Sequence, residues 1–187
     1  MTTTNTINIV AISGSLKLTS SNATILKTIA KIAPENVVIK IVEGLDDLPH
    51  FNPDSKEEII SVTNFRQQLK EADGVIFSTP EYAFGVPGVL KNALDWLVFT
   101  GELNEKPVAA ISASPLYSGG DKALASLLLT LTALGTKMSN GSSLSIGNIK
   151  NKINEAGEVT DEETVQSLKI VLNSLLETIS PIQAPAI

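Results

Sequence analysis

The run Thr79-Pro80-Glu81-Tyr82-Ala83-Phe84-Gly85-Val86-Pro87-Gly88 separates an apolar stretch, Gly74 to Ser78, from a helix-like one, Val89 to Leu97. Tyr82 and Phe84 are two of only eight aromatic residues in the chain, so this loop concentrates a scarce side-chain type. In an open α/β sheet, a loop that ends a strand and opens a helix lies at the crevice where ligands bind. Its backbone groups can serve the polar edge of a flat, conjugated ligand while Tyr82 or Phe84 packs on or beside the ring. The same two side chains also suit plain packing over the end of a sheet.

A second candidate region follows an N-terminal β-branched run. In Ser13-Gly14-Ser15-Leu16-Lys17-Leu18-Thr19-Ser20-Ser21-Asn22, six of ten residues carry a short hydroxyl or amide and one is a lone cation. A helix start offers unpaired N–H groups and the positive end of a dipole, which together attract a phosphate. Ser15, Ser20 and Asn22 can add side-chain donors. Each hydrogen bond to a charged group contributes about 1.5–3 kcal/mol, so three or four anchor a phosphate monoester with few cations. The alternative is an ordinary N-cap at Ser20 or Ser21 in a polar loop. Neither G-x-x-x-x-G-K-[ST] nor G-x-G-x-x-G is present, which argues against a nucleotide-hydrolysing loop and a tightly held dinucleotide.

Alternating elements position these loops. Strands are expected over Ile7–Ile12, Val37–Val42, Val75–Thr79 and Pro107–Ser112, with a weaker one over Lys137–Ile146. Helices are expected over residues 21–33, Lys56–Glu71, Val86–Phe99, 121–134 and Thr160–Ile179. The βαβαβαβαβα pattern implies a parallel sheet with helices on both faces, and five strands suggest the order 2-1-3-4-5. The third helix has a core stripe of Leu90, Ala93, Leu94 and Leu97 and an adjoining seam of Val89, Ala93 and Trp96. That seam is read as a partner surface, or as Trp96 covering the core edge.

At 187 residues the chain is expected to be one domain, 1–187, with 181–187 a flexible tail. Hydrophobic residues at 43% and charged ones at 18% mark a globular chain, and aromatics at 4% leave an aliphatic core. A net charge of −6 without clustered Lys and Arg argues against nucleic acid as a partner. Cysteine is absent, which excludes thiolate nucleophiles, iron–sulfur clusters and cysteine-based zinc, so redox chemistry requires a bound cofactor. The only histidine, His50, lacks companions for a metal site and is read as a loop residue near the substrate entrance. The N-terminus reads as free of a secretory signal, and Leu127–Leu134 is too short to span a bilayer. No membrane partner and a cytoplasmic location are therefore expected.

Gly14-Ser15-x-Lys17-x-x-Ser20-x-Asn22, then Thr79-Pro80-Glu81-Tyr82, then Pro87-Gly88-x-Leu90-Lys91-Asn92-Ala93-x-Asp95-Trp96 resembles the NAD(P)H-dependent FMN reductase family. That family includes quinone, chromate and azo-dye reductases of flavodoxin-like fold, a three-layer sandwich. The likeness extends from about Ile7 to Ile179. It implies an FMN phosphate site at Ser15, Lys17, Ser20, Ser21 and Asn22, an isoalloxazine loop at Pro80, Glu81, Tyr82, Ala83 and Phe84, and a further flavin contact at Ser114. It also implies bound FMN, transient NAD(P)H, ping-pong hydride transfer to a quinone, azo, flavin or metal-oxyanion acceptor, and no catalytic side chain or metal. A homodimer or homotetramer through Leu90–Phe99 is implied as well. The rival is a flavodoxin-type electron carrier without NAD(P)H oxidase activity; a flavin-free interaction protein on the same fold is a third reading.

The chain departs from the family at Lys17, usually Arg, at Ala83, commonly Asn, and at Gly85, commonly Ser. Lysine keeps the charge but loses the bidentate fork. Glu81 reads as a backbone contributor, because a carboxylate facing the flavin would oppose its reduction. The Ser112–Gly120 segment is expected to aim backbone donors and a helix dipole at the flavin N1–C2=O edge, or to be an ordinary turn and cap.

Overall fold

Runs of Val, Ile and Ala become five strands: β1 (Ile7–Ser13), β2 (Val37–Val42), β3 (Gly74–Thr79), β4 (Val108–Ala113) and β5 (Ser143–Ile146). In the computed structural model, which describes residues 6–17, 19–55 and 57–180, they pair in parallel in the order β2-β1-β3-β4-β5. Crossover helices α1 (Ser21–Ile32), α2 (Ile60–Glu71), α3 (Gly88–Asp95), α4 (Asp121–Ala133) and α5 (Glu162–Ile179) complete the flavodoxin-like three-layer sandwich. The register sets Ser13 against Ser78 and Thr79 against Ser112, so the carboxyl ends of the three central strands finish level.

Alternation along the strands divides the core. Val10, Ile12, Val75, Phe77, Val108 and Ala110 face α2, α3 and α4, whereas Ile9, Ala11, Ile76, Ala109 and Ile111 face α1 and α5. β3 and β4 are buried along their whole length, as central parallel strands covered on both faces must be. Each fully buried aliphatic side chain contributes about 1.5–3 kcal/mol of transfer free energy. β2 and β5 are the edges of the sheet.

Three elements are shorter than their sequence pattern. α2 begins at Ile60, after Ile59 with no side-chain cap, and Lys56 lies outside the described residues. α3 begins at Gly88 because Pro87 stands at its N-cap and disfavours helical backbone at Val86. Past Asp95 its bonds tighten, Leu97 N to Leu94 O at 3.1 Å and Val98 N to Asp95 O at 3.2 Å, before Gly101 turns the chain at φ 75°. β5 spans only Ser143–Ile146, because Ser139 and Ser142 close a turn around Gly141 at φ 95°. Residues 181–187 are outside the described region. Among the described residues no helix is long and apolar enough to cross a membrane.

The N-cap of α5 gives a pH-dependent contribution to stability. Asp161 accepts hydrogen bonds from Lys152 Nζ at 2.8 Å and Thr164 N at 2.9 Å. The bond from Lys152, followed by those from Thr164, holds its carboxyl down from 3.8 to about 2. A depressed carboxyl stabilises the fold fully above its unfolded value, and that contribution is lost as pH falls through the folded one. Thermal melts of wild type and Asp161→Ala should therefore differ most near neutral pH and converge between about pH 4 and pH 2. A constant gap down to pH 2 would contradict this assignment.

Candidate functional site

Gly14 N donates to Ser78 O at 2.8 Å, so the chain stays paired to β3 one residue beyond β1. A side chain at Gly14 would meet Leu90 Cδ2 at 2.9 Å and Thr79 Oγ1 at 3.1 Å, so glycine is what lets β1 end this close to α3. The loop then folds on its own hydroxyls: Ser15 N donates to Ser13 Oγ at 3.3 Å and Lys17 N to Ser15 Oγ at 3.3 Å. Ser20, buried, caps α1 by accepting from Ala23 N at 3.4 Å. The ordinary N-cap is thus present, yet Ser21 N and Asn22 N have no acceptor among the described residues.

Asn22 does a different job from the free donor that its position suggests. Only 3% exposed, it donates from Nδ2 to Ala113 O at 3.3 Å and accepts Ser78 Oγ–H at 2.9 Å, tying α1 to β3 and β4. Ser114 is also anchored: its N donates to Ile146 O at 3.1 Å, its carbonyl accepts Ile149 N at 3.1 Å, and its hydroxyl accepts Leu116 N at 3.1 Å.

These bonds close a cleft of about 220 Å³ whose wall includes Ser15, Lys17, Ser20, Ser21, Asn22, Pro80, Glu81, Tyr82 and Ser114. Of its remaining lining residues, Thr19, Ala113 and Pro115 fall in segments the sequence singled out without being named as contacts, whereas Ile149 and Lys150 were missed. Lys150 follows β5, whose expected end at Ile146 agrees with the structure, so the strand-end rule pointed to it although no motif in that loop singled it out. Neither Lys17 nor Lys150 is ion-paired among the described residues. A larger cavity of about 350 Å³ lies between β1, β2 and α2, lined by Asn8, Lys40, Gln68 and Glu71. It has neither a helix start nor a strand carboxyl end, so size does not locate the site.

Ala83 and Phe84 do not line the cleft. They form the tip of a two-residue turn in which Tyr82 N donates to Gly85 O at 3.1 Å and Gly85 N to Tyr82 O at 3.0 Å. Their φ angles are +48° and +61°, as a type I′ turn demands, where Asn and Gly are favoured. Phe84 is 79% exposed, so no core packing offsets this conformation, whereas Tyr82, 57% exposed, borders the cleft.

Glu81 and the α4 start are engaged with each other. Glu81 Oε2 accepts Lys122 N and Ala123 N, both at 3.0 Å, so those two N–H groups are not free to meet a ligand edge. The α3 seam meets its own chain: Trp96 Nε1 donates to Pro49 O at 2.8 Å, and its ring lies edge-on to Phe51 at 5.2 Å. Trp96 therefore covers the core edge. His50 is exposed in that same loop. Among the described residues no three His, Cys, Asp or Glu side chains group as a metal site.

Among the described residues Lys17 and Lys150 have no ion-pair partner and Ser21 N and Asn22 N no acceptor, a set that suits a phosphate, and the Pro80–Tyr82 loop on the same cleft suits a ring. A doubly wound parallel sheet with such a cleft at its strand ends is a flavodoxin-like cofactor-binding domain. The chain belongs to the NADPH-dependent FMN reductase family, whose model matches residues 7–151. It is an oxidoreductase with FMN as cofactor and NAD(P)H as reductant. It is 32% identical over 183 residues to a quinone reductase of Escherichia coli, covering 95% of this chain and 97% of that one. It is 30% identical over 173 residues to an NAD(P)H-dependent FMN reductase of Pseudomonas aeruginosa, covering 90% and 93%. FerB, a flavoenzyme NAD(P)H:(acceptor) oxidoreductase of Paracoccus denitrificans, has a similar structure, with TM-score 0.83, 30% identity, and coverage of 92% and 97%.

Left-handed backbone costs an L-residue with a side chain roughly 1–2 kcal/mol. Phe84→Gly should therefore stabilise the protein by about 1 kcal/mol, seen as a rise of ~2–4 °C in Tm. An unchanged or lower Tm would show that the Phe84 ring is held by contacts that repay its conformation.

Proposed function

We propose that the cleft holds FMN and that the protein, a single-domain cytoplasmic enzyme, passes two electrons from NAD(P)H to a small-molecule acceptor. NAD(P)H and acceptor occupy one open face in turn, a ping-pong cycle. The observation that carries this reading is the convergence of the β1, β3, β4 and β5 loops on one cleft lined by Lys17, Lys150 and Tyr82. Among quinone, azo, flavin and metal-oxyanion acceptors, a quinone is best supported, because the Escherichia coli relative matched over nearly its whole length is a quinone reductase.

When bound, FMN supplies the redox chemistry, a hydride taken at N5 from NAD(P)H and handed on to the acceptor. The chain binds and orients. Lys17 and Lys150 balance the phosphate charge, and Ser21 N, Asn22 N and the hydroxyls of Thr19 and Ser21 supply its hydrogen bonds. The Pro80–Tyr82 backbone would meet the polar edge of the ring, and Tyr82 would pack beside it at the cleft border. Ser20 and Asn22 hold the phosphate end in place from behind, through the cap and the strand tie. No side chain of the cleft is assigned as an acid or base. The assembly is a homodimer or homotetramer through Leu90–Phe99, α3 and the turns after it, where Val98 and Phe99 are 52% and 75% exposed.

The purified protein loaded with FMN should lose its visible flavin absorbance on anaerobic addition of NADH or NADPH and regain it with a quinone. No bleaching by either nucleotide would overturn the reading. Lys17→Ala and Lys150→Ala should each weaken FMN binding about ten-fold while leaving riboflavin affinity unchanged, since one charged hydrogen bond is worth about 1.5–3 kcal/mol. Titration of flavin fluorescence reads both constants.

A further inference from the structure

α4 lacks a cap of its own. Gly120 stands at its N-cap position with φ 81° and offers no side-chain acceptor, so the first-turn N–H groups must find one elsewhere. They find it in Glu81, 41 and 42 residues earlier, whose Oε2 accepts Lys122 N and Ala123 N at 3.0 Å each. The approach is close: a side chain at Gly120 would come within 3.3 Å of Glu81 Cβ. Glu81 also forms part of the cleft wall, between Pro80 and Tyr82. The neighbouring Asp121 and Lys122 side chains pair with each other at 3.2 Å, and among the described residues Glu81 forms no ion pair, although Lys17 and Lys150 line the same cleft.

We propose that Glu81 is a positioning residue that sets how readily the bound flavin is reduced, by cancelling the positive pole of α4 at the cleft wall while strutting the β3 loop against that helix. The proposal rests on the FMN reading above. A helix start carries the equivalent of about half a positive charge, which would stabilise the negative charge a flavin gains on reduction. A full carboxylate seated on that pole more than offsets it. Sequence reading expected the helix start to favour reduction and set Glu81 aside as a backbone contributor; its carboxylate and that helix start instead form one hydrogen-bonded unit. The unit holds the potential below what α4 alone would impose, leaving the reduced flavin a stronger hydride donor to its acceptor.

Glu81→Gln keeps a carbonyl oxygen for both N–H groups and removes the charge; Glu81→Ala removes both. In the flavin-free protein, amide hydrogen exchange at Lys122 and Ala123 should accelerate at least ten-fold in the Ala variant and stay near wild type in the Gln variant. With FMN bound, dye-equilibrated titration should give the Gln variant a higher midpoint potential. A ten-fold change in the reduction equilibrium corresponds to ~30 mV for a two-electron couple. Equal potentials in wild type and Gln variant, with FMN held by both, would reduce Glu81 to a cap and overturn the proposal. Unchanged exchange in the Ala variant would overturn the strut itself. A wild-type chain that takes up no FMN would overturn the cofactor reading, and this proposal with it, while the exchange result would stand apart.

Discussion

Asn22 holds the first turn of α1 over the sheet by bonding two strands at once, through Ala113 O on β4 and Ser78 Oγ on β3. Both bonds are buried, and a buried amide left unpaired would cost about 1–3 kcal/mol, so the turn can adopt few other positions. Everything at the phosphate end depends on that constraint. With Asn22 fixed, Ser20 is carried into its capping position, and Ser21 and Asn22, whose N–H groups have no acceptor among the described residues, line the cleft. Ser114 then bonds Ile146 and Ile149, which brings Lys150 to the cleft that Lys17 also lines.

The arrangement divides labour between backbone and side chains. Polar side chains that might have met a ligand are largely consumed in holding loops in place: Asn22 between strands, Glu81 on α4, and the Ser114 hydroxyl on Leu116 N. What is left for a ligand is mostly backbone N–H, two ammonium groups and one tyrosine. Such a set suits a phosphate and a planar ring, the proposed FMN, by shape and charge.

The sheet order and nearly every element were legible because hydrophobic periodicity records burial, and β3 and β4 are buried on both faces. Element ends were less so. Pro87 could be read as a stop, but the shortening of β5 depends on the Ser139–Ser142 pairing, a tertiary detail with no local signature. At the site, loop identity was legible from residue type, whereas the partner of each polar group was not. Nothing local to Glu81 says that its acceptor role serves a helix forty-odd residues later, because the need arises at Gly120, which cannot cap itself. Ala83 and Phe84 look from sequence like ring contacts; only their paired positive φ values reveal a tight turn that carries them past the cleft.

The sheet's two margins carry a separate consequence. β2 is an edge of six residues, Val-Val-Ile-Lys-Ile-Val, with Lys40 as its one charge and Val38 exposed. Aliphatic edges of this kind are templates for intermolecular strand addition, and an inserted lysine is a common natural guard against it. The opposite margin, β5, has four residues, two of them serine, and is too short to recruit a neighbour. The guard against strand addition at this margin is therefore a single ammonium group, on the strand farthest from β5 and outside the cleft wall.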